Sequence, residues 1–290
     1  MSQERGQRFL LELPAIRNDL PFSPDLLTRL FHLTDEDATS PLTDIATAIA
    51  EDQGLSTRVL AMANSAFYGL QAQVRTVSRA VAVLGLREVR ALVVLLGMHG
   101  LAYHRPLPAG FALDPYLEHQ LAVAVAAQAL AGQTRAMDTD DAFTAGVLHD
   151  LGKLLTALYR PEDWLAQAAL ATAEALPWHE AEERHWGLDH GLIGAMVLRS
   201  WNLPDTLTEP VNWHHAPEAA PGPREPARII GLADACTREI TGATLPGIDV
   251  SDTLAAGLGL TPGQALAIVQ TAMAARNPGH AAEALRSVRT

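Results

Sequence analysis

A single cysteine, Cys236, among 290 residues excludes any intramolecular disulfide and, with it, a secreted scaffold held by bridges. Aromatic side chains make up only 5% of the chain, so large rings cannot fill its interior. Charged residues are also few, at 19% against 48% apolar, which excludes a disordered chain and points to a compact one. The longest apolar stretch, Ala91 to Tyr103, is broken by Gly97, His99 and Gly100 and is too short to span a bilayer. The first twenty residues lack the apolar centre of a signal peptide, so a cytoplasmic location without a membrane partner is expected. Cations are outnumbered, 21 Lys and Arg against 33 Asp and Glu, and the net charge of −12 opposes nonspecific nucleic-acid binding. A small anionic ligand held by a metal remains compatible with that charge. No internal repeat, P-loop or dinucleotide-binding glycine motif occurs, and the alternation that marks strands is nearly absent.

What is present is a succession of helix signals rich in alanine, predicting an all-α protein in which helices meet through small residues. Ser23 and Pro24 open a helix toward Leu33, and the polar stretch 35–41 links it to helices over 43–51, 55–64, 76–84 and 87–103, with Gly54, Gly69 and Gly85 as breaks. Residues 104–114, with two prolines and a glycine, mark the boundary between two halves. The expected organisation is an N-terminal helical part, 1–103, a connecting loop, 104–113, a helical core, 114–242, and C-terminal helices with a tail, 243–290. Within the core, Asp114 should cap a helix that Pro115 begins and Gly132 ends, and 138–159 reads as one helix. A helix should end at Gly187, and Asp189 should cap the next. Another helix starts at Pro204 and runs to His214-His215, and a further helix, 224–241, should bury Cys236 as a small hydrophobe. Ser251 and Thr261 are the expected caps of two later helices, with 278–290 loosely attached.

Along this core run His119, His149, Asp150, His190, His214, His215 and Asp234, each at or near a helix end or inner face. Neutral imidazoles and carboxylates suit borderline and hard divalent cations, so the set predicts Fe, Mn, Zn or Ni, as one ion or as a pair bridged by Asp150. Such a pair can activate water and clamp a phosphoester without a Ser or Cys nucleophile. Each residue alone also reads as a core or capping side chain, and only convergence separates the readings. Lys153, one turn beyond His149, either meets a substrate phosphate or neutralises Asp150. Glu183 and His185 have weaker claims.

The segment GVLHDLGKLL at 146–155, GLDHGLIGAMVLRSWNLP at 187–204, His119 and the pair His214-His215 together resemble the HDOD family, the HD-related output domains of bacterial signalling. Residues 13–33, 49–70 and 76–97 resemble the opening of that domain, so the likeness runs over roughly residues 13–240. It implies an HD-like helical core with an N-terminal helical part packed on it. It also implies an output or scaffold role exerted through signalling proteins, and a ligand set that Asp234 closes opposite His119. Related phosphohydrolases of the HD-GYP group cleave cyclic dinucleotides, but here APEAAPGPREP follows the histidine pair in place of their Gly-Tyr-Pro element. The leading expectation is therefore a signal-transduction module with a metal site. The second is a metal-dependent phosphohydrolase acting on a nucleotide or other phosphoester, with Asp150 and Lys153 in the reaction. A purely interacting adaptor without metal is a third.

Overall fold

A computed structural model describes residues 2–19, 26, 29, 42–103, 105–242 and 250–287. The helix expected from Ser23 and the polar stretch after it fall, apart from Leu26 and Arg29, outside the described residues. Among those described there is no strand, and the fold is all-α as composition and patterning require.

Helix α1, Ser2–Glu12, and a 3-10 turn, Leu13–Asp19, precede α2, Leu42–Ala50, α3, Gln53–Ala63, α4, Val77–Leu84, and α5, Leu86–Tyr103. Asp52 starts α3 by accepting from the Leu55 amide at 2.8 Å, which places Gly54 inside the first turn and not between helices. Thr76 caps α4 in the same way. In α5 every residue from Val89 to Ala102 is buried, because the helix is apolar on all sides and lies where the two halves meet. Its neighbours are α3 and α4 on one side and α6, Leu113–Thr134, α7, Thr139–Leu148, and α8, Leu151–Tyr159, on the other. Arg90 of α5 fastens this junction with an ion pair to Asp141 of α7 at 2.7 Å.

The chain then forms α9, Pro161–Glu174, α10, Trp178–Trp186, α11, His190–Ser200, α12, Asp205–Trp213, α13, Glu225–Thr241, α14, Asp252–Ala256, α15, Pro262–Ala275, and α16, Pro278–Ser287. Ser251 and Thr261 cap α14 and α15 as expected. One apolar core, from Phe9 to Val269, runs through both halves. Helix α1 packs on α10, where Phe9 stacks on Trp186 with centroids 5.5 Å apart, so the first residues serve the core more than the N-terminal helices.

Four local expectations are corrected. Helix α6 begins at Leu113 with Ala112 as its cap, and Asp114 lies in the first turn. Pro115 still fits there, because the first-turn amides have no helical acceptor to lose. The same helix passes Gly132 and ends at Arg135, which takes the left-handed conformation with φ 57°. Residues 138–159 form two helices, broken at His149 and Asp150. Finally, 278–287 is no loose tail, since α16 packs on α6 and α3, whereas 288–290 lie outside the described residues.

Candidate metal centre

The break between α7 and α8 resolves a problem that a continuous helix would pose. Adjacent helical side chains point about 100° apart. Here His149 ends α7 and Asp150 begins α8, so the chain turns between them and both face one interior point. The helices around that point approach closely because they meet at glycines. A Cβ on Gly152 would lie 2.0 Å from the His190 carbonyl oxygen, and one on Gly231 would lie 2.5 Å from that of His214. Only glycine permits α8 to touch α11, and α13 to touch the end of α12, at these points.

All seven expected residues converge. Asp150, His190, His214 and His215 each offer a ligand atom within 4.8 Å of the others, and His119, His149 and Asp150 form a second group on the same criterion. Asp150 belongs to both groups. Asp234 stands beside the second, its Oδ1 lying 2.9 Å from His119 Nε2 and 3.8 Å from His149 Nε2.

Imidazole orientation is fixed from behind. His149 Nδ1 bonds the Gly146 carbonyl at 2.8 Å and His214 Nδ1 the Val211 carbonyl at 2.7 Å. His190 Nδ1 meets the buried Glu182 carboxylate at 2.5 Å, and Glu182 also accepts the His190 backbone amide at 2.9 Å. With Nδ1 donating outward, His149 and His214 present an Nε2 lone pair to the centre, the tautomer that a metal requires, and His190 does so once it releases its Nε2 proton. The Nε2 atoms of His190 and His215 lie 2.8 Å apart. His149 Nε2 and His214 Nε2 are buried and form no hydrogen bond, whereas Asp150 Oδ1 and Asp234 Oδ1 are held in ion pairs, with His190 at 3.0 Å and with Arg238 at 2.8 Å. Leaving one such nitrogen without a partner costs about 1–3 kcal/mol, and two facing the same carboxylates fit a cation.

Electrostatics prepare the same atoms. Burial holds His149 down to about 4 and pushes His214 and His215 well below the ordinary histidine range, so all three are neutral near pH 7. Burial alone would raise the carboxyls. For Asp150 the neighbouring His149, Lys153 and His190 outweigh it, and for Asp234 Arg238 does, so both stay anionic. His190 differs: burial opposes its charge, yet Glu182 and Asp150 raise it to about 9.

Two cationic side chains border the cluster. Lys153 Nζ lies 2.7 Å from Asp150 Oδ2, so neutralisation of Asp150, one of the two roles expected for it, is present. Arg238, from α13, meets Asp234 at 2.8 Å. The same lysine and arginine line a cavity of about 530 Å³ that reaches His119 and Asp150. Phe111, Tyr116, Trp164 and Trp178 form an aromatic wall, and Met273, Asn277 and Pro278 close it from the C-terminal helices. Trp164 and Trp178 have centroids 5.3 Å apart, and Trp178 Nε1 donates to Glu182 at 2.8 Å.

Sequence reasoning passed over Glu182 and Arg238. Trp178, Glu182 and Trp186 recur every fourth residue on one helix face, and an acid within that apolar stripe was the available signal. Glu183, considered instead, is exposed. His185 is engaged elsewhere, 2.8 Å from Asp163, which also holds Arg5 of α1. No described helix is long and apolar enough to cross a membrane.

Comparison with known proteins agrees with this architecture. The HDOD domain model matches residues 20–217. Among solved structures, a protein of Shewanella amazonensis SB2B, provisionally named a phosphohydrolase, is similar at 25% identity and a TM-score of 0.72, with 94% of this chain and 97% of that one covered. An HDOD domain protein of unknown function from Geobacter sulfurreducens is similar at 22% identity and a TM-score of 0.69, covering 96% and 92%. A Marinobacter aquaeolei VT8 protein, provisionally named for signal transduction, shares the fold at 24% identity and a TM-score of 0.78, covering 93% and 61%. An uncharacterized Treponema pallidum (strain Nichols) protein is 26% identical over 233 residues, which are 78% of this chain, and the chain spans 44% of that relative's length.

Proposed function

The chain belongs to the HDOD domain family, and we propose that it is a cytoplasmic signal-transduction module whose metal centre reads a nucleotide or other phosphoester and passes the result to signalling proteins. The observation that carries this reading is the convergence of the seven ligand-type side chains beside an aromatic-walled cavity that His119 and Asp150 line. A divalent cation held by Asp150 and the imidazoles supplies Lewis acidity toward an oxyanion. The protein's own side chains do the rest. Lys153 keeps donors available beyond its bond to Asp150 and attracts a phosphate. Phe111, Trp164 and Trp178 offer faces on which a planar ring stacks. Tyr116 fixes the chain at the ligand itself by donating to the Asp150 carbonyl at 3.2 Å.

A second reading, hydrolysis of the bound phosphoester, is favoured by the lysine placed beside Asp150 and by the likeness to the Shewanella protein named for phosphohydrolase activity. The absent Gly-Tyr-Pro element ranks it after sensing. The test is elemental mass spectrometry on untagged protein, followed by nucleotide binding monitored through Trp164 and Trp178 and by assay of phosphate release. Metal with nucleotide-dependent quenching and no turnover supports sensing; turnover supports the second reading; no metal after incubation with Fe, Mn, Zn or Ni refutes both.

A further inference from the structure

Resting on the metal-centre reading, we propose that Arg238 stands in for a second cation, so that this chain holds one divalent ion, at Asp150, His190, His214 and His215, and keeps the His119, His149 and Asp234 side closed to metal. The guanidinium occupies acceptors that an ion on that side would use. Its Nε lies 2.8 and 3.0 Å from the two Asp234 oxygens, and one of its terminal nitrogens lies 3.3 Å from His119 Nε2 and 3.6 Å from Asp150 Oδ2. Every one of those atoms is a metal-ligand candidate, and the arginine meets them from within the same buried space.

Two features make this occupancy durable. Asp234 and Arg238 are one helical turn apart on α13, so the pair forms with the helix and needs no long-range assembly. A guanidinium also stays protonated at any pH the fold survives, so it cannot make room by losing its charge as a lysine could. Charge balance points the same way. With every histidine neutral, as ligation requires, the buried carboxylates at the centre are Asp150, Glu182 and Asp234, and Arg238 and Lys153 oppose them, leaving one net negative charge. One divalent ion changes this to one positive charge, whereas two would leave three in a site with little water, a large desolvation cost. In the group of Asp150, His190, His214 and His215 the arginine comes no nearer than 3.6 Å, to Asp150 Oδ2, among the contacts seen, and the three imidazoles are free of it.

The experiment is metal stoichiometry by elemental mass spectrometry and Mn²⁺ titration calorimetry on the full chain, with circular dichroism as the control for folding. The expected result is one ion per chain for the unmodified protein, one for His119→Ala, none for His215→Ala, and a second ion when Arg238→Ala opens the other side. Two ions in the unmodified protein overturn the proposal while leaving the metal centre intact. Loss of the ion in His119→Ala, or a folded Arg238→Ala that still takes one, also overturns it. No ion in any form sinks the metal-centre reading itself. Should Arg238→Ala fail to fold, the contrast between His119→Ala and His215→Ala still decides where the ion sits.

Discussion

Replacing Glu182 by glutamine should weaken metal binding strongly at high pH and much less at neutral pH. The carboxylate bonds both the backbone amide and Nδ1 of His190, so it aims Nε2 and also stabilises a proton on the ring. Loss of an outer partner of this kind typically weakens binding about 10–100-fold, or about 1.4–2.7 kcal/mol. Against that stands proton competition. His190 is raised to about 9, so in the metal-free protein it is protonated at neutral pH and must release that proton to bind an ion. His149 sits at about 4 and His214 and His215 lie well below their ordinary values, so none of them contributes a proton. The apparent affinity of the unmodified protein should rise about tenfold per pH unit from neutrality and level off above about 9, with one proton released per ion. With the anion gone, burial prevails over charge at His190, and the slope flattens. Glu182→Gln should therefore bind more weakly at pH 9.5 and regain most of the deficit at pH 7. Calorimetry at four pH values, in buffers of differing ionisation enthalpy, reads both slope and proton count. Parallel curves for the two proteins would refute the assignment of Glu182 as the residue that sets His190. A raised pKa also stabilises the metal-free fold fully below the ordinary histidine value and ceases to do so as pH rises through about 9. The metal-free protein should accordingly unfold more readily at pH 9.5 than at pH 6.

Two further predictions concern the scaffold. Gly152→Ala drives a methyl to 2.0 Å from the His190 carbonyl oxygen, so α8 and α11 must separate; urea titration should show a loss of roughly 1–3 kcal/mol or more together with lost metal, and unchanged values of both would contradict the close approach. Arg276 lies over the rings of Phe67, Tyr68 and Phe143 at 4.2, 5.0 and 4.8 Å and pairs with Glu88. Arg276→Ala strips those rings and leaves the largely buried Glu88 carboxylate with only the Tyr68 hydroxyl, 3.0 Å away, of these two partners, so unfolding free energy should fall by about 1–3 kcal/mol; a change within about 0.5 kcal/mol would show that the arginine is dispensable.

Much of this molecule was readable before its structure was known, because the signals involved are local or ordinal. The all-α class followed from alanine-rich periodicity, and Thr76, Asp189, Ser251 and Thr261 declared their helices through side chains that bond the next turn. The seven converging residues were legible as an ordered series of ligand types. Glu182 and Arg238 escaped because their roles exist only across space: each looks like an ordinary helical charge until a histidine from another helix is set beside it. The break at His149 and Asp150 escaped for a related reason. His149 and Asp150 sit inside an apolar run that reads as one helix, and the close approach of α8 to α11 at Gly152 is a contact made only across space.

The cavity's outer wall at Met273, Asn277 and Pro278 lies beyond residues 20–217, the part shared with the family, whereas His119 through His215 lie inside it. The doorway and the histidines therefore come from different stretches of sequence. Substitutions confined to the C-terminal helices would change which molecules reach the centre while leaving every imidazole in place.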